Sequence, residues 1–376
     1  MPIYVDVSAA VHGKAGIGRY AGSLARALVA QQPGRFALFY NRFGEAGPVP
    51  GLEAVPARSV RAGYKPWRMA VWLGQVAGIG FNRLMPGVEL YHATEHLLPP
   101  LRGVPCVLTV HDMIFALFPE HQKRLNYWYL NMAMPLFCRR ADAIITVSEF
   151  SKQDIVRYYG LDPGKVTVIY EAASPEFTPV AQRLVEEARK RYSLPDSFLI
   201  HVGTIEPRKN LTRLIEALQR LRERGLKVPL VVVGGKGWLY HDFFSRLEEL
   251  EVRDAVYFPG YVPDSDLPAL YSAAHTAVIP SLYEGFGLPV LEAMSCGTPV
   301  ISSSTSSLPE VGGVAARYFD PHDVESMAQT IHDIWTRPDL RAGMRDQSLA
   351  QASKFSWKRA ARETIAVYER VCPQYT

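Results

Sequence analysis

The amino-acid sequence predicts an α/β protein made of two doubly wound, Rossmann-like domains. Three observations lead there. Short β-branched runs alternate with longer stretches of helical period, as a parallel sheet with helices on both faces requires. The rhythm pauses at a Pro- and Ser-bearing stretch, 172–179, and then starts again. Finally, 376 residues, 48% hydrophobic and 21% charged, exceed what one core usually holds, at roughly 100–200 residues per domain.

In the first half the strand candidates are 3–7, 37–40, 89–91, 106–110, 143–147 and 166–170, with a helix over 17–29 following the first. In the second half they are 198–202, 230–233, 256–258, 277–279 and 300–302. The domains are placed at 1–172 and 173–354. The last stretch, 355–376, has helical spacing and suits either domain, the first included. Open α/β sheets bind ligands at the carboxyl ends of their strands, so a ligand cleft between the two domains is expected.

The formal charge is +4, with residues 1–172 carrying 18 basic and 12 acidic side chains and the remainder 23 and 25. The amino-terminal half is thus expected to face something anionic, a phosphate-bearing ligand or a membrane surface. Cys106, Cys138, Cys296 and Cys372 show neither disulfide nor zinc spacing. The chain enters its first strand with no basic region, apolar stretch or cleavage site, which predicts a cytoplasmic protein. The most apolar window, 69–81, falls short of the ~20 residues that span a bilayer. No RNP, zinc-finger or helix-turn-helix pattern accompanies the basic residues, so nucleic-acid binding is disfavoured.

Three segments carry chemistry. Gly13-Lys14-Ala15-Gly16-Ile17-Gly18 lies at a strand-to-helix turn, where backbone N–H groups can approach a phosphate; a plain tight turn explains the glycines as well. It is a poor dinucleotide fingerprint, since the first acid after it, Glu45, comes too late to bind a ribose, and an NAD oxidoreductase is set aside. Glu206-Pro207-Arg208-Lys209-Asn210 places two cations just before a helix whose N-cap is Asn210 and whose end is Gly225. A pyrophosphate fits there, although solvated or locally paired cations are the plainer reading. The third runs Glu284-Gly285-Phe286-Gly287-Leu288-Pro289-Val290-Leu291-Glu292-Ala293-Met294, with Pro289 opening a helix and Gly297 closing it. Its two carboxylates suit sugar hydroxyls.

The E-x7-E spacing of Glu284 and Glu292, together with the Glu-Pro-Arg-Lys-Asn segment, resembles the retaining glycosyltransferases of family 4, which have the GT-B fold. Nearly the whole chain takes part, since the early glycine loop, Val110-His111-Asp112, Val147-Ser148-Glu149-Phe150-Ser151 and the Gly234-Gly235 pair occur in that family's order. The resemblance implies that Gly16 and Gly18 approach the diphosphate of a nucleotide diphosphate sugar, and that Arg208 and Lys209 clamp it. It further implies that Glu292 holds the ribose and Gly235 belongs to the donor site. Glu284 would contact the transferred sugar, assisted by the backbone of Phe286, Gly287 and Leu288, and His111 would meet the sugar or the reacting centre. Some relatives carry an arginine where this chain has Thr204, which leaves the clamp to Arg208 and Lys209.

Transfer of a hexose with retention is the expected reaction, with His111, Glu284 and Lys209 as catalytic residues. No fitting Asp-x-Asp motif is present, so no metal or other cofactor is expected. Mannose from GDP-mannose ranks first as donor, with UDP-sugars next, and a lipid-linked or surface-polysaccharide glycan as acceptor. An epimerase or phosphorylase of the same fold, or a non-catalytic sugar-nucleotide binder, are the alternatives. Segment 54–88 contains no acid, yet holds Arg58, Arg61, Lys65, Arg68 and Arg83 among Tyr64, Trp67, Trp72 and Phe81. This pattern suggests contact with an anionic membrane. Segment 121–129 is a candidate lining for the acceptor.

Overall fold

Each β-branched run named above becomes a strand in the computed structural model, which describes residues 2–42, 49–121 and 124–373. Two units result. Unit 1 comprises Met1–Glu171 with Ser356–Thr376, and unit 2 comprises Ala172–Phe355. In unit 1 the strands are β1 (Ile3–Asp6), β2 (Phe36–Arg42), β3 (Ala57–Arg61), β4 (Leu90–Ala93), β5 (Cys106–Val110), β6 (Ala143–Thr146) and β7 (Val166–Val168). They form one sheet in the order β3-β2-β1-β4-β5-β6-β7, every pair parallel.

Unit 2 contributes β8 (Leu199–Val202), β9 (Leu230–Val233), β10 (Val256–Tyr257), β11 (Thr276–Ile279), β12 (Val300–Ser303) and β13 (Ala316–Phe319). Their order is β10-β9-β8-β11-β12-β13, again all parallel. In both sheets the winding reverses beside the first strand of the unit. The loops leaving β1 and β4, and those leaving β8 and β11, therefore open a crevice at the strands' carboxyl ends. Segments 206–210 and 284–294 follow β8 and β11, and segment 13–18 follows β1 with Gly16 and Gly18 inside the helix Ala15–Gln31, whereas His111 follows β5 and Gly234-Gly235 follows β9.

Two strands, β3 and β13, lack a β-branched run and were not expected. Both are sheet edges. β3 reads Ala-Arg-Ser-Val-Arg with only Val60 partly covered, and its arginines suit an edge that must not recruit another strand. Each unit buries its own apolar core. In unit 1, Phe39, Trp67, Tyr91, Phe115 and Phe137 pack together; in unit 2, Leu199, Leu214, Leu218, Val232 and Phe319 do so.

The 54–88 segment is corrected in one respect. Trp67, at 3% exposure, is a core residue, with its ring 5.9 Å from Phe39 and 5.7 Å from Phe81, so it does not present an aromatic anchor outward. The four cysteines are free and buried. Among the described residues no helix is long and apolar enough to cross a membrane.

The carboxyl-terminal helix, Trp357–Val371, belongs to unit 1. Ser356 caps it by accepting from the Arg359 N–H, and its buried face bears Ala360, Ala361, Thr364, Ile365 and Tyr368. Tyr368 Oη lies 2.7 Å from Nδ1 of buried His92, whose Nε2 is 2.8 Å from Thr109 Oγ1. Burial, then the nearby His111, drives the His92 pKa down to about 3, so the ring is neutral and shares its hydrogen bonds without a charge to compensate. Tyr368→Ala removes a fully buried aromatic ring and one partner of that chain. It is expected to cost unit 1 about 3–5 kcal/mol, read as an earlier unfolding transition in urea. An unchanged midpoint would show that the helix adds nothing to the core.

Candidate functional site

In unit 2 the site is built by two loops. The first follows β8, makes a short 3-10 turn at Pro207–Lys209 and enters the helix Leu211–Glu223. The second follows β11 and enters the helix Leu288–Ser295. They are knitted together by backbone: the Leu282 N–H donates to Arg208 O at 2.9 Å, and Arg208 Nη1 donates to Tyr283 O at 2.9 Å. Asn210 occupies the N-cap position, as expected, but with φ at 57° and no capping bond from its side chain. Its amide instead donates to Pro280 O (3.0 Å) and Pro321 O (2.8 Å), which fixes the first loop against the second.

This knitting brings Arg208 and Lys209 together with Glu284, which lies 75 residues beyond Lys209. Lys209 Nζ donates to Glu284 Oε1 and Arg208 Nη1 to Glu284 Oε2, each at 2.6 Å. Arg208 also grips Glu206 Oε1 through Nε (3.0 Å) and Nη2 (2.7 Å). Lys209, Glu206 and Glu284 are buried. Burial alone would raise the Glu284 carboxyl. The charges of Arg208 and Lys209 outweigh it and hold the pKa at about 2. Burial, with the Arg208 charge, lowers Lys209 from its ordinary value, against the pull of Glu284. Two cations thus face two carboxylates in a charge-balanced group.

Glu292 is buried inside the helix and accepts from Tyr271 Oη at 3.2 Å. Pro289 lies in the first turn of that helix and Gly297, at φ 72°, just beyond its end. Gly287 has φ 109°, and a Cβ there would come within 2.9 Å of Leu308 Cδ2, so glycine is required. Phe286 is a core side chain whose ring meets Phe355 at 6.0 Å, and Leu288 is half-buried. Of the glycine pair, Gly234 is the constrained one, since a Cβ would sit 2.0 Å from Gly203 O, whereas Gly235 is exposed with open space beside it.

Unit 1 brings a second polar group to the ends of β1, β4 and β5. His111 is buried, with Nε2 2.9 Å from Thr94 O and Nδ1 3.4 Å from Glu171 Oε1. The carbonyl makes Nε2 a donor. Burial works against a charge on this ring, but Glu171, then the Thr94 carbonyl and Asp112, outweigh it and raise the pKa. Both ring nitrogens thus have partners within unit 1. Gly16 is exposed with open space beside it. Gly18 is buried with its missing Cβ only 2.8 Å from Ala9 O, a packing reason for glycine.

Several residues of the site escaped the sequence reading. Glu206 orients Arg208. A hydroxyl segment after β12 brackets the Glu284 loop: Ser303 Oγ donates to Ser281 O, Thr305 Oγ1 to Leu282 O, and Ser307 Oγ to both Glu284 O and Phe286 O. Ser306 Oγ accepts from the Glu284 N–H at 3.0 Å. The run Ser302-Ser303-Ser304-Thr305-Ser306-Ser307 was the available signal. In unit 1, Lys14 Nζ donates to buried Glu95 Oε2 at 2.5 Å and lies 3.7 Å above the Tyr64 ring. Burial, then Glu95, raises Asp6 to about 6. Among the described residues no group of three or more His, Cys, Asp or Glu is placed to hold a metal ion.

A pair of parallel, doubly wound units with a cation-rich turn after the first strand of the second is the GT-B architecture of glycosyltransferases. The family model for glycosyl transferases group 1 matches residues 185–350, and that for glycosyltransferase family 4 matches 15–177. The chain is 36% identical over 283 residues to the O-antigen chain mannosyltransferase B of Escherichia coli, covering 74% of each. It is 34% identical over 283 residues to the serotype-specific mannosyltransferase WbdA of Escherichia coli, spanning 72% of this chain but 34% of that longer protein. Sucrose-phosphate synthase from Thermosynechococcus elongatus has the same fold, with a TM-score of 0.79 at 20% identity, over 98% of this chain and 99% of that one. The chain belongs to this glycosyltransferase family and is a hexosyltransferase with mannosyltransferase relatives.

Two tests follow from the geometry. Lys209→Ala leaves the Arg208–Glu284 pair in place, so the fold should survive by circular dichroism while kcat/KM falls at least about 100-fold; near-wild-type turnover removes Lys209 from the clamp. For His111 the folded pKa is raised, so its pairing with Glu171 stabilises fully below the ordinary histidine value and is lost as pH rises through the raised one. The melting-temperature advantage of wild type over His111→Asn should therefore shrink towards alkaline pH. A constant difference would mean that the ring is not charged.

Proposed function

We propose that the protein transfers mannose from GDP-mannose, with retention of anomeric configuration, to a hydroxyl of a lipid-linked or surface-polysaccharide glycan. The observation that carries this reading is Arg208 and Lys209 converging on Glu284 at the strand-order reversal of unit 2. The mannosyltransferase relatives support the choice of sugar.

In this reading the donor diphosphate takes over Arg208 and Lys209, and Glu284, relieved of one cation or both, turns to the hydroxyls of the transferred sugar. The bond between the anomeric carbon and the phosphate oxygen breaks, leaving negative charge on the diphosphate and cationic character on the ring. Each charge-assisted hydrogen bond to the leaving group contributes about 1.5–3 kcal/mol. The acceptor oxygen bonds to the anomeric carbon, and its proton passes to the departing phosphate. Glu284 positions the sugar, Glu292 binds the ribose, and His111 is assigned to a hydroxyl of the sugar. Two side-chain cations do the electrostatic work of a divalent ion, so transfer should persist in excess chelator.

Thermal-shift measurements with GDP, UDP, dTDP and ADP test the donor. A nucleotide at 100 times its Kd stabilises the fold by about 2.7 kcal/mol. GDP is expected to raise the melting temperature most, and mannose transfer from GDP-mannose should give a product whose anomeric configuration, read by NMR, matches the donor. A larger shift with UDP replaces the donor assignment, and no shift with any nucleotide overturns the reading.

A further inference from the structure

Two helices of unit 1 expose apolar side chains where a surface helix normally carries polar ones. On the helix Tyr64–Ala77, Met69, Leu73 and Val76 are 45%, 53% and 60% exposed; on the helix Arg124–Arg140, Leu125, Trp128 and Met132 are 83%, 60% and 53% exposed. Their spacings, i, i+4, i+7 and i, i+3, i+7, make each set a single stripe. Ile79, just past the first helix, extends it at 58% exposure.

The helices lie side by side. Tyr129 Oη donates to Arg68 O and Arg68 Nη1 to Asn126 Oδ1, each at 3.0 Å, while Arg140 Nη1 donates to Gln75 Oε1 at 2.6 Å. Residue 68 is thus beside 126–129 and residue 75 beside 140, so the two run in the same direction. At about 100° per residue, each stripe points about 100–120° away from the neighbouring helix, on the side opposite its buried residues. Both stripes therefore face outward on the same side of unit 1 and form one apolar surface.

The charges carried by the two helices have one sign. No Asp or Glu occurs from 54 to 88 or from 121 to 141. Exposed Lys65 stands one turn before Met69 on the first stripe, and exposed Arg139 two turns after Met132 on the second. Unit 1 as a whole has 22 basic and 14 acidic residues. A second copy laid on this face would set cations against cations. An anionic phospholipid surface complements both features, the apolar rows entering the acyl boundary and the cations meeting phosphates.

We infer that the paired helices Tyr64–Ala77 and Arg124–Arg140 are a docking face for an anionic bilayer, with the second helix supplying half of it. The inference deepens the reading above, since it rests on a lipid-linked acceptor for its purpose, and it replaces the buried Trp67 and the half-buried Phe81 by Met69, Leu73, Leu125 and Trp128 as the inserting groups.

The test is flotation of the full chain with vesicles of phosphatidylcholine alone or mixed equally with phosphatidylglycerol. Wild type should float with the mixed vesicles at low salt, and at least tenfold less with phosphatidylcholine or at high salt. Leu73→Glu with Trp128→Glu should abolish flotation while keeping the wild-type melting temperature, since both sites are exposed. Trp128→Glu alone should lose binding, because the second helix is half of the face. Wild type that stays at the bottom, or a double variant that still floats, overturns the inference. A wild-type dimer in sedimentation velocity that the double variant converts to monomer also overturns it, in favour of a second copy. No nucleotide enters the assay, and the melting shift with GDP reports separately on the donor site, so either reading can fail without the other.

Discussion

A carboxylate shared by two cations in a place with little water is the interaction on which unit 2 is arranged. Glu284 is ionised because Arg208 and Lys209 face it, and they tolerate burial because Glu284 and Glu206 face them. Removing either side leaves a buried charge uncompensated, at a cost of about 3–5 kcal/mol. Such a group is stable only if its backbone cannot drift, and most polar contacts nearby serve that end. Asn210 ties one loop to the end of β11, and the hydroxyls of Ser303, Thr305, Ser306 and Ser307 hold the other.

The sheet topology determines where this arrangement can exist. In a parallel sheet all carboxyl ends lie along one edge, and only where the winding reverses do adjacent loops part instead of covering one another. β8 and β11 are neighbours there, 77 residues apart by the start of each, and their loops carry Arg208-Lys209 and Glu284. Unit 1 repeats the geometry at β1 and β4 with different chemistry. Its group holds Asp6, Lys14 and His111, each with its pKa raised by its surroundings, beside the buried carboxylate Glu95 that Lys14 meets.

Much of this was legible in the residues. Alternating β-branched runs located every interior strand, because strands buried on both faces must be apolar throughout. The edge strands β3 and β13 were illegible because exposed arginines interrupt their apolar positions, whereas the edges β7 and β10 keep Val166, Val168 and Val256 and were found. The motif segments placed Arg208, Lys209, Glu284 and Glu292 in the right loops and helices. They could not show that Glu284 holds both cations, because a pairing across 75 residues depends on sheet order. Asn210 was placed correctly at the helix start but its side chain bonds sideways, a choice made by the carbonyls of Pro280 and Pro321. The aromatic residues of 54–88 were visible as a cluster, but which of them point inward is a matter of helix phase against a core that includes Phe39.

The return of the Trp357–Val371 helix to unit 1 makes that unit discontinuous, with all of unit 2 inserted between Glu171 and Ser356. During synthesis unit 2, continuous in sequence, can close its core as soon as it has left the ribosome. Unit 1 must wait with the helix Ala15–Gln31, Tyr20 and His92 uncovered until residues as late as Tyr368 are made. The earlier half of the chain is thus the later to mature, and in that interval it is the part of the molecule most in need of protection by a chaperone.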